Sequence, residues 1–139
     1  ASMRLRYEHQ SQSALTLLNW LKQQPAFVQV LHPADEASAG HQYWKEICTE
    51  QHSAGLVSVI FNEKYSLQDV RRFCDALKLF KLGFSWGGPV SLVMLYNLKE
   101  MRVLEHSHLK EGFLVRFCIG LEHPEDLIQD IQQALKVLA

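Results

Sequence analysis

A single arginine interrupts an otherwise apolar run near the C-terminal end of the chain, between Phe113 and Leu121. Alternation along a strand would send Val115 and Phe117 to one face and Arg116 to the other. The apolar face can pack against helices, whereas a guanidinium keeps its charge and is costly to bury without an anionic partner. The segment therefore predicts a strand on which Arg116 shares a face with Leu114 and Cys118 and needs an anionic partner if it is buried.

The source of that anion stays open from the residues alone. A carboxylate of this chain, from Glu122 or Asp126, would give Arg116 a structural role. A ligand carboxylate, held by the planar guanidinium through two hydrogen bonds, would make Arg116 a binding residue instead. Both interpretations place a carboxylate beside Arg116, and they differ only in which molecule supplies it.

Helical and strand patterns alternate along the sequence. Helices are predicted over residues 3–24, over 41–48, after the N-cap Ser66 and from Pro124. Strands are predicted over 27–31, 55–62, 79–86, 89–96 and 113–120, the third and fourth joined by a tight turn at Gly87-Gly88. Short connections favour antiparallel pairing, so we expect a two-layer α+β fold, with a mostly antiparallel sheet of about four strands and helices on one face. The other sheet face is then open, or covered by something outside this chain.

Composition is that of an ordinary globular domain. The 139 residues are 47% hydrophobic and 21% charged, and the net charge is −1. We expect one domain over residues 3–139, because Ala1-Ser2 resembles the remnant of a removed tag. The near-neutral charge gives no basis for binding nucleic acid or a membrane. Three cysteines without paired spacing indicate free thiols and a cytoplasmic protein.

Other reactive side chains form no recognisable catalytic pattern. His106 and His108 would share a strand face, but no third metal ligand follows at a typical distance, so no metal site is expected. No cysteine lies in a nucleophile motif, and no lysine has the flanking residues of a covalent cofactor site. We therefore predict no catalytic residue within this chain.

The segment Ser85-Trp86-Gly87-Gly88 is the second feature of unusual composition. Two glycines allow the backbone to turn tightly or to approach a ligand closely. One interpretation is a binding loop presented by Ser85 and Trp86. The other is a plain turn that follows a core tryptophan.

Taken together, short motifs spread over nearly the whole chain resemble a known family. They are His32-Pro33, Gly40-His41, Trp44-Lys45, Gly55-Leu56, Ser85-Trp86-Gly87-Gly88, Arg116, Ile119-Gly120-Leu121-Glu122 and Asp126-Leu127-Ile128. In this order and spacing the sequence resembles the C-terminal domain of the Cys/Met-metabolism family of enzymes dependent on pyridoxal phosphate (PLP), a fold type I aminotransferase-like family. Within that family it is similar to the bacterial cystathionine β-lyases.

The resemblance implies a role for each residue of the two segments. Arg116 would bind the α-carboxylate of an amino-acid substrate, Ser85 would contribute to the same pocket, and Trp86 would line it. The reaction would be the carbon–sulfur lyase step of transsulfuration and methionine biosynthesis, which converts cystathionine to homocysteine, pyruvate and ammonia. PLP, bound to a lysine, serves there as an electron sink.

The family's lysine motif and its other PLP-binding residues belong to a larger domain that these residues do not match. We therefore expect that the chain alone binds no PLP and catalyses no elimination, as a truncated form would. Its expected partner is the missing cofactor domain, or other copies of itself through exposed apolar surface, since the family enzymes are typically homotetramers. The alternative is a free-standing carboxylate-binding or interaction module without catalysis.

Overall fold

A computed structural model describes residues 2–48, 50, 52–101 and 107–138. Its helices are α1 (Met3–Leu21), α2 (His41–Ile47), α3 (Leu67–Ala76), α4 (Leu98–Met101) and α5 (Pro124–Leu135), followed by a 3-10 turn at Lys136–Leu138. Its strands are β1 (Phe27–Leu31), β2 (Leu56–Phe61), β3 (Lys81–Leu82), β4 (Leu92–Asn97) and β5 (Phe113–Cys118). The strands form one sheet in the order β1-β2-β5-β4-β3.

The expected two-layer α+β fold is confirmed, with five strands in place of about four. Strands β1, β2, β5 and β4 pair antiparallel. Residues of one sheet face, including Val59 and Phe117, pack with buried residues of α1, α3 and α5 into a single core. This leaves β2, β5 and β4 with a second face, which bears Arg116 and on which none of the described helices packs.

Two sequence signals for helix starts are confirmed. The Ser66 hydroxyl accepts from the Asp69 backbone N–H at 3.2 Å, and the Asp69 carboxylate accepts from the Ser66 N–H at 2.8 Å, which is a capping box. The hydrogen bonds from Ser66 also hold the pKa of Asp69 at about 2. Pro124 occupies the first turn of α5, where its missing N–H is not needed.

The predicted tight turn between two long strands at Gly87-Gly88 is wrong. β3 contains only two residues and pairs parallel to β4, with Lys81 opposite Leu92. A tight turn reverses the chain and so cannot join parallel neighbours. A longer segment, Phe84–Val90, makes the connection instead, and its apolar residues lie at the surface rather than in a strand. Gly87 has φ +73°, so a glycine is favoured at this bend.

A buried polar cluster ties the end of β1 to α1 and to the start of β2. His32 Nδ1 accepts from the Ala34 N–H at 3.2 Å, so Nε2 carries the proton and donates to Ser53 Oγ at 3.3 Å. The Ser53 N–H in turn donates to Ser11 Oγ of α1 at 3.0 Å. The neutral imidazole therefore satisfies both of its ring nitrogens inside the fold.

This cluster predicts a loss of stability in acid. His32 is 3% exposed, and burial lowers its pKa from 6.5 to about 4, while Asp35 opposes the shift. Because the folded state favours the neutral ring, its contribution is complete above pH 6.5 and is lost as the pH falls toward 4. We expect the free energy of unfolding to drop by roughly 3 kcal/mol over this window.

Urea unfolding at several pH values checks this expectation. The His32→Gln variant should lose much less stability between neutral pH and pH 4 than the parent chain, whereas His9→Gln, at an exposed site on α1, should behave like the parent. An acid loss of equal size in all three proteins would contradict the assignment to His32.

Membrane and metal sites find no structural support within the described ranges. None of the helices in these ranges combines the length and the apolar character needed to cross a membrane. Over the same residues, no three His, Cys, Asp or Glu side chains come together as metal ligands. His106 lies outside the described residues, so the His106–His108 pair is not tested.

Candidate functional site

Arg116 lies at the centre of the helix-free sheet face. It occupies β5, with Ser58 of β2 on one side and Met94 of β4 on the other. Its neighbours along the strand, Val115 and Phe117, are fully buried on the opposite face. The alternation predicted from the sequence is therefore confirmed at this position.

The Arg116 guanidinium is held from several directions without a carboxylate. Its Nη2 donates to the Phe84 carbonyl oxygen at 2.7 Å. Its Cζ lies 5.6 Å from the ring centroid of Trp86 and 5.7 Å from that of Tyr96, so two aromatic rings interact with the cation. Its Nε is buried and has no hydrogen-bond partner among the described residues. A buried donor of this kind is unusual, and it points to a missing acceptor.

The interpretation of Glu122 or Asp126 as a structural partner of Arg116 is wrong. Among the residues that the structure describes, no carboxylate forms an ion pair with Arg116. Both oxygens of Glu122 accept hydrogen bonds from Ser91 instead. Asp126 is exposed in the first turn of α5. The open alternative, a carboxylate from a ligand, therefore agrees better with the geometry.

The Phe84–Val90 segment brings Ser85 and Trp86 to this face. Trp86 is 64% exposed and Phe84 is 67% exposed, so the alternative of a turn after a core tryptophan is wrong. Ser85 is also exposed, and it lies between the residue whose carbonyl holds Arg116 and the residue whose ring faces it. All three residues predicted for substrate binding thus come from one small region of the surface.

Sequence reasoning missed two contributors to this site. Tyr96 contacts Arg116, and alternation along β4 could have placed it on the same face as Met94. The Phe84 carbonyl is a main-chain group, so no residue type could have indicated it.

The C-terminal end of the Phe84–Val90 segment is fixed to the residues that follow β5. The Leu121 N–H donates to the Pro89 carbonyl at 2.8 Å. A Cβ at Gly120 would lie 2.4 Å from that carbonyl oxygen, so the two chains meet where only glycine fits. The middle of the segment is held by Gln10 of α1, whose Nε2 donates to the Gly88 carbonyl at 2.7 Å.

Cys118 lies beneath this segment. Its side chain is 1% exposed, and the Gly87 backbone is close enough to the thiol to lower its pKa. Burial raises the pKa of Cys118, more than the Gly87 backbone and the Arg116 charge lower it. Cys118 is therefore a shielded thiol and not a nucleophile.

The described residues do not fit a PLP site. A lysine that carries PLP must be shielded from water to lower the pKa of its amine. All eight lysines of this chain are exposed. Lys22 pairs with Asp35 at 2.7 Å, and Lys81 donates to the Lys78 carbonyl at 2.6 Å.

Comparison with known proteins identifies the family. The model of the family "Cys/Met metabolism PLP-dependent enzyme" matches residues 1–136, and the chain belongs to this family. Cystathionine β-lyases are among its relatives. The one from Bordetella avium is 39% identical over 134 residues, which are 96% of this chain and 33% of that protein. The chain thus spans about one third of the length of the curated relatives it matches.

Relatives that are named for other reactions also match this chain. An L-alanine/L-glutamate racemase from Wolbachia pipientis is 32% identical over 94% of this chain and 32% of its own length. A candidate O-acetylhomoserine (thiol)-lyase from Campylobacter jejuni, solved with a pyridoxyl-lysine phosphate group, superposes with a TM-score of 0.79. It is 28% identical, and the match covers 97% of this chain and 30% of that one.

Proposed function

We propose that this chain is the carboxylate-binding part of a PLP-dependent carbon–sulfur lyase that acts on cystathionine. The observation that carries the proposal is the Arg116 guanidinium, which faces two aromatic rings and has a buried Nε–H without an acceptor in the described part of the chain. A planar guanidinium matches a carboxylate through two parallel hydrogen bonds. An α-carboxylate at this face would accept from Nε and so supply the missing acceptor.

Each remaining residue has a role in the same pocket. Ser85 offers a hydroxyl that can donate to the second carboxylate oxygen or to the substrate backbone. Trp86 and Tyr96 flank the guanidinium, which limits its motion and excludes water from one side of the ion pair. Phe84 fixes the rotamer of Arg116 through its carbonyl oxygen. The pocket would therefore orient an amino acid by its carboxylate and leave the reacting atoms to another domain.

Cystathionine is proposed as the substrate because relatives named for that reaction reach 39% identity. The racemase and the candidate O-acetylhomoserine lyase carry similar segments and are named for other reactions. All of these named substrates are amino acids, so recognition of an amino-acid carboxylate is the most transferable part of the proposal. The specific elimination reaction depends on residues of the cofactor domain.

The proposed partner is a PLP-binding domain. It would pack beside the site, where Phe84, Trp86 and Val90 expose apolar surface around Arg116. Since every lysine of this chain is exposed, we propose that the chain binds no PLP and is inactive without that domain. Self-association through the same surface is the other arrangement, and light scattering of the isolated chain distinguishes a monomer from an oligomer.

A free-standing binding module is the second candidate function. The same unpaired guanidinium supports it, but a module must bind its ligand tightly with its own residues. One charge-assisted contact contributes about 1.5–3 kcal/mol, which supports about millimolar affinity at best. Affinity for cystathionine tighter than roughly 10 μM would favour the module.

The test is binding of cystathionine and acetate to the isolated chain, measured from the NMR shifts of the backbone amides around Arg116, with the arginine Nε–H signals showing which guanidinium is engaged. We expect weak binding that shifts the Arg116 signal and is lost in Arg116→Lys, because an ammonium keeps the charge but lacks the planar pair of donors. Arg72→Lys, at an exposed site on α3, is the matched control and should bind normally. Equal binding by Arg116→Lys and the parent chain would refute the proposed role of Arg116.

A further inference from the structure

We propose that Glu122 is a positioning residue, which holds the Phe84–Val90 segment in place over Arg116. The inference rests on the proposed carboxylate site and concerns how that site keeps its shape. Glu122 contacts neither Arg116 nor, in the described chain, any other cation through an ion pair. Its function must therefore lie in the hydrogen bonds that it accepts.

Those hydrogen bonds come from Ser91, the residue that directly follows the segment. Glu122 Oε1 accepts from the Ser91 backbone N–H at 2.8 Å, and Oε2 accepts from Ser91 Oγ at 2.7 Å. Ser91 Oγ also accepts from the Gly120 N–H at 2.9 Å. Ser91 is fully buried, so a carboxylate, a hydroxyl and two backbone groups form a closed, satisfied network. We call Glu122, Ser91 and Gly120 the clip.

The clip supplements a small number of other hydrogen bonds to the segment. Phe84 and Trp86 are mostly exposed, so burial of apolar surface contributes little. The other fixed points are the Leu121 bond to Pro89, the Gln10 bond to Gly88 and the Arg116 bond to Phe84. If the clip opens, Pro89 and Gly88 can move away from Gly120, and the Trp86 ring is no longer held beside the guanidinium.

Two buried thiols offer a direct readout of this motion. Cys118 lies under Gly87. Cys74, which is 5% exposed, lies on α3 and belongs to the hydrophobic core. Opening of the segment exposes only Cys118, but global unfolding exposes both. In a Cys48→Ser background, which removes the partly exposed thiol, the two labelling rates can be followed by mass spectrometry after treatment with a disulfide reagent.

We expect Glu122→Ala to raise the labelling rate of Cys118 at least about tenfold. The substitution removes hydrogen bonds to a charged group that exist only while the segment is in place, so the segment opens more often. The rate for Cys74 should change little. Glu122→Gln keeps one carbonyl acceptor and should give a smaller increase, and Ser91→Ala should resemble it. Glu125→Ala is the matched control, since Glu125 lies three residues away and pairs with His123 at the surface.

A second readout connects the clip to the carboxylate site. Glu122→Ala should weaken acetate binding by at least about fivefold, while Glu125→Ala should not. An unchanged Cys118 rate in Glu122→Ala, or equal increases for Cys118 and Cys74, would overturn the proposal. If Glu122→Ala does not fold, Glu122→Gln and Ser91→Ala decide by the same criteria. Selective labelling of Cys118 with no acetate binding in any protein would support the clip and refute the proposed carboxylate site.

Discussion

Replacing Asp130 with alanine should lower the free energy of unfolding by about 3–5 kcal/mol, because three backbone donors lose a charged acceptor and each unsatisfied donor costs about 1–3 kcal/mol. Asp130 is buried on α5, and its carboxylate accepts from the backbone N–H groups of Lys78, Leu79 and Phe80 at 2.8–3.2 Å. Alanine would leave these three donors without partners close to the core. A domain of this size has a total stability of about 5–15 kcal/mol, so the variant should lose a large fraction of its stability.

Chemical denaturation followed by circular dichroism measures this effect. Asp126→Ala is the matched control because Asp126 lies on the same helix and is exposed, so its loss should cost less than about 1 kcal/mol. Asp130→Asn should fall between the two, since its amide oxygen still accepts but carries no charge. Equal stabilities for Asp130→Ala and Asp126→Ala would show that water replaces the carboxylate at no cost.

Asp130 also holds the turn that leads into the edge strand β3. The three backbone groups that it binds form the turn between α3 and β3, and β3 is followed by the segment that carries Ser85 and Trp86. Gln133 supports the same turn, because its Nε2 donates to the Ala76 carbonyl at 2.7 Å and to Asp130 at 3.2 Å. The binding segment is thus fixed before β3 by α5 and after Val90 by Glu122.

Local signals made much of this fold predictable. The capping box of α3 involves residues three positions apart, and the placement of Arg116 follows from alternation within one strand. Both depend on neighbours in sequence, so the pattern of residue types is sufficient. The resemblance to the Cys/Met-metabolism family likewise follows from short motifs, and the family match confirms it.

Long-range contacts explain what could not be predicted. Phe84 and Trp86 are residue types that are typical of a strand, but their exposure depends on how the segment crosses the sheet edge. Glu122 was a reasonable partner for Arg116 by proximity in sequence, yet it binds Ser91, which is 31 positions away. The role of Asp130 was predictable from the sequence. An acidic residue within the apolar stripe of Leu127 and Ile131 indicates a buried hydrogen-bond acceptor.

The exposed lysines of this chain lead to a prediction about its catalytic activity. We expect the isolated chain to show no visible Schiff-base band after incubation with PLP, and no pyruvate to form from cystathionine, because none of its lysines is shielded. Borohydride reduction followed by peptide mapping should find no stoichiometric label on any lysine. A stoichiometric, reducible band on one lysine would contradict this expectation and would place a cofactor site within these 139 residues.

A chimera tests whether the same chain functions when a cofactor domain is supplied. The match to the Bordetella avium cystathionine β-lyase covers 96% of this chain and 33% of that protein, so the matching third can be replaced as one piece. We expect the chimera to release pyruvate from cystathionine. Arg116→Ala in the chimera should lower kcat/KM by at least about 100-fold, which corresponds to roughly 3 kcal/mol for a lost bidentate carboxylate contact.

The activities of the chimera variants distinguish a substrate-binding role of Arg116 from a role in a domain interface. Arg116→Lys should also be strongly impaired, because charge alone does not replace the paired donors of the guanidinium, whereas Arg72→Lys should retain full activity. A folded chimera that binds PLP but is equally active with Arg116→Ala would mean that the substrate carboxylate is held elsewhere. In that case the unpaired Nε of Arg116 would have to be satisfied by a group of the cofactor domain, and this face would be a domain interface rather than a substrate site.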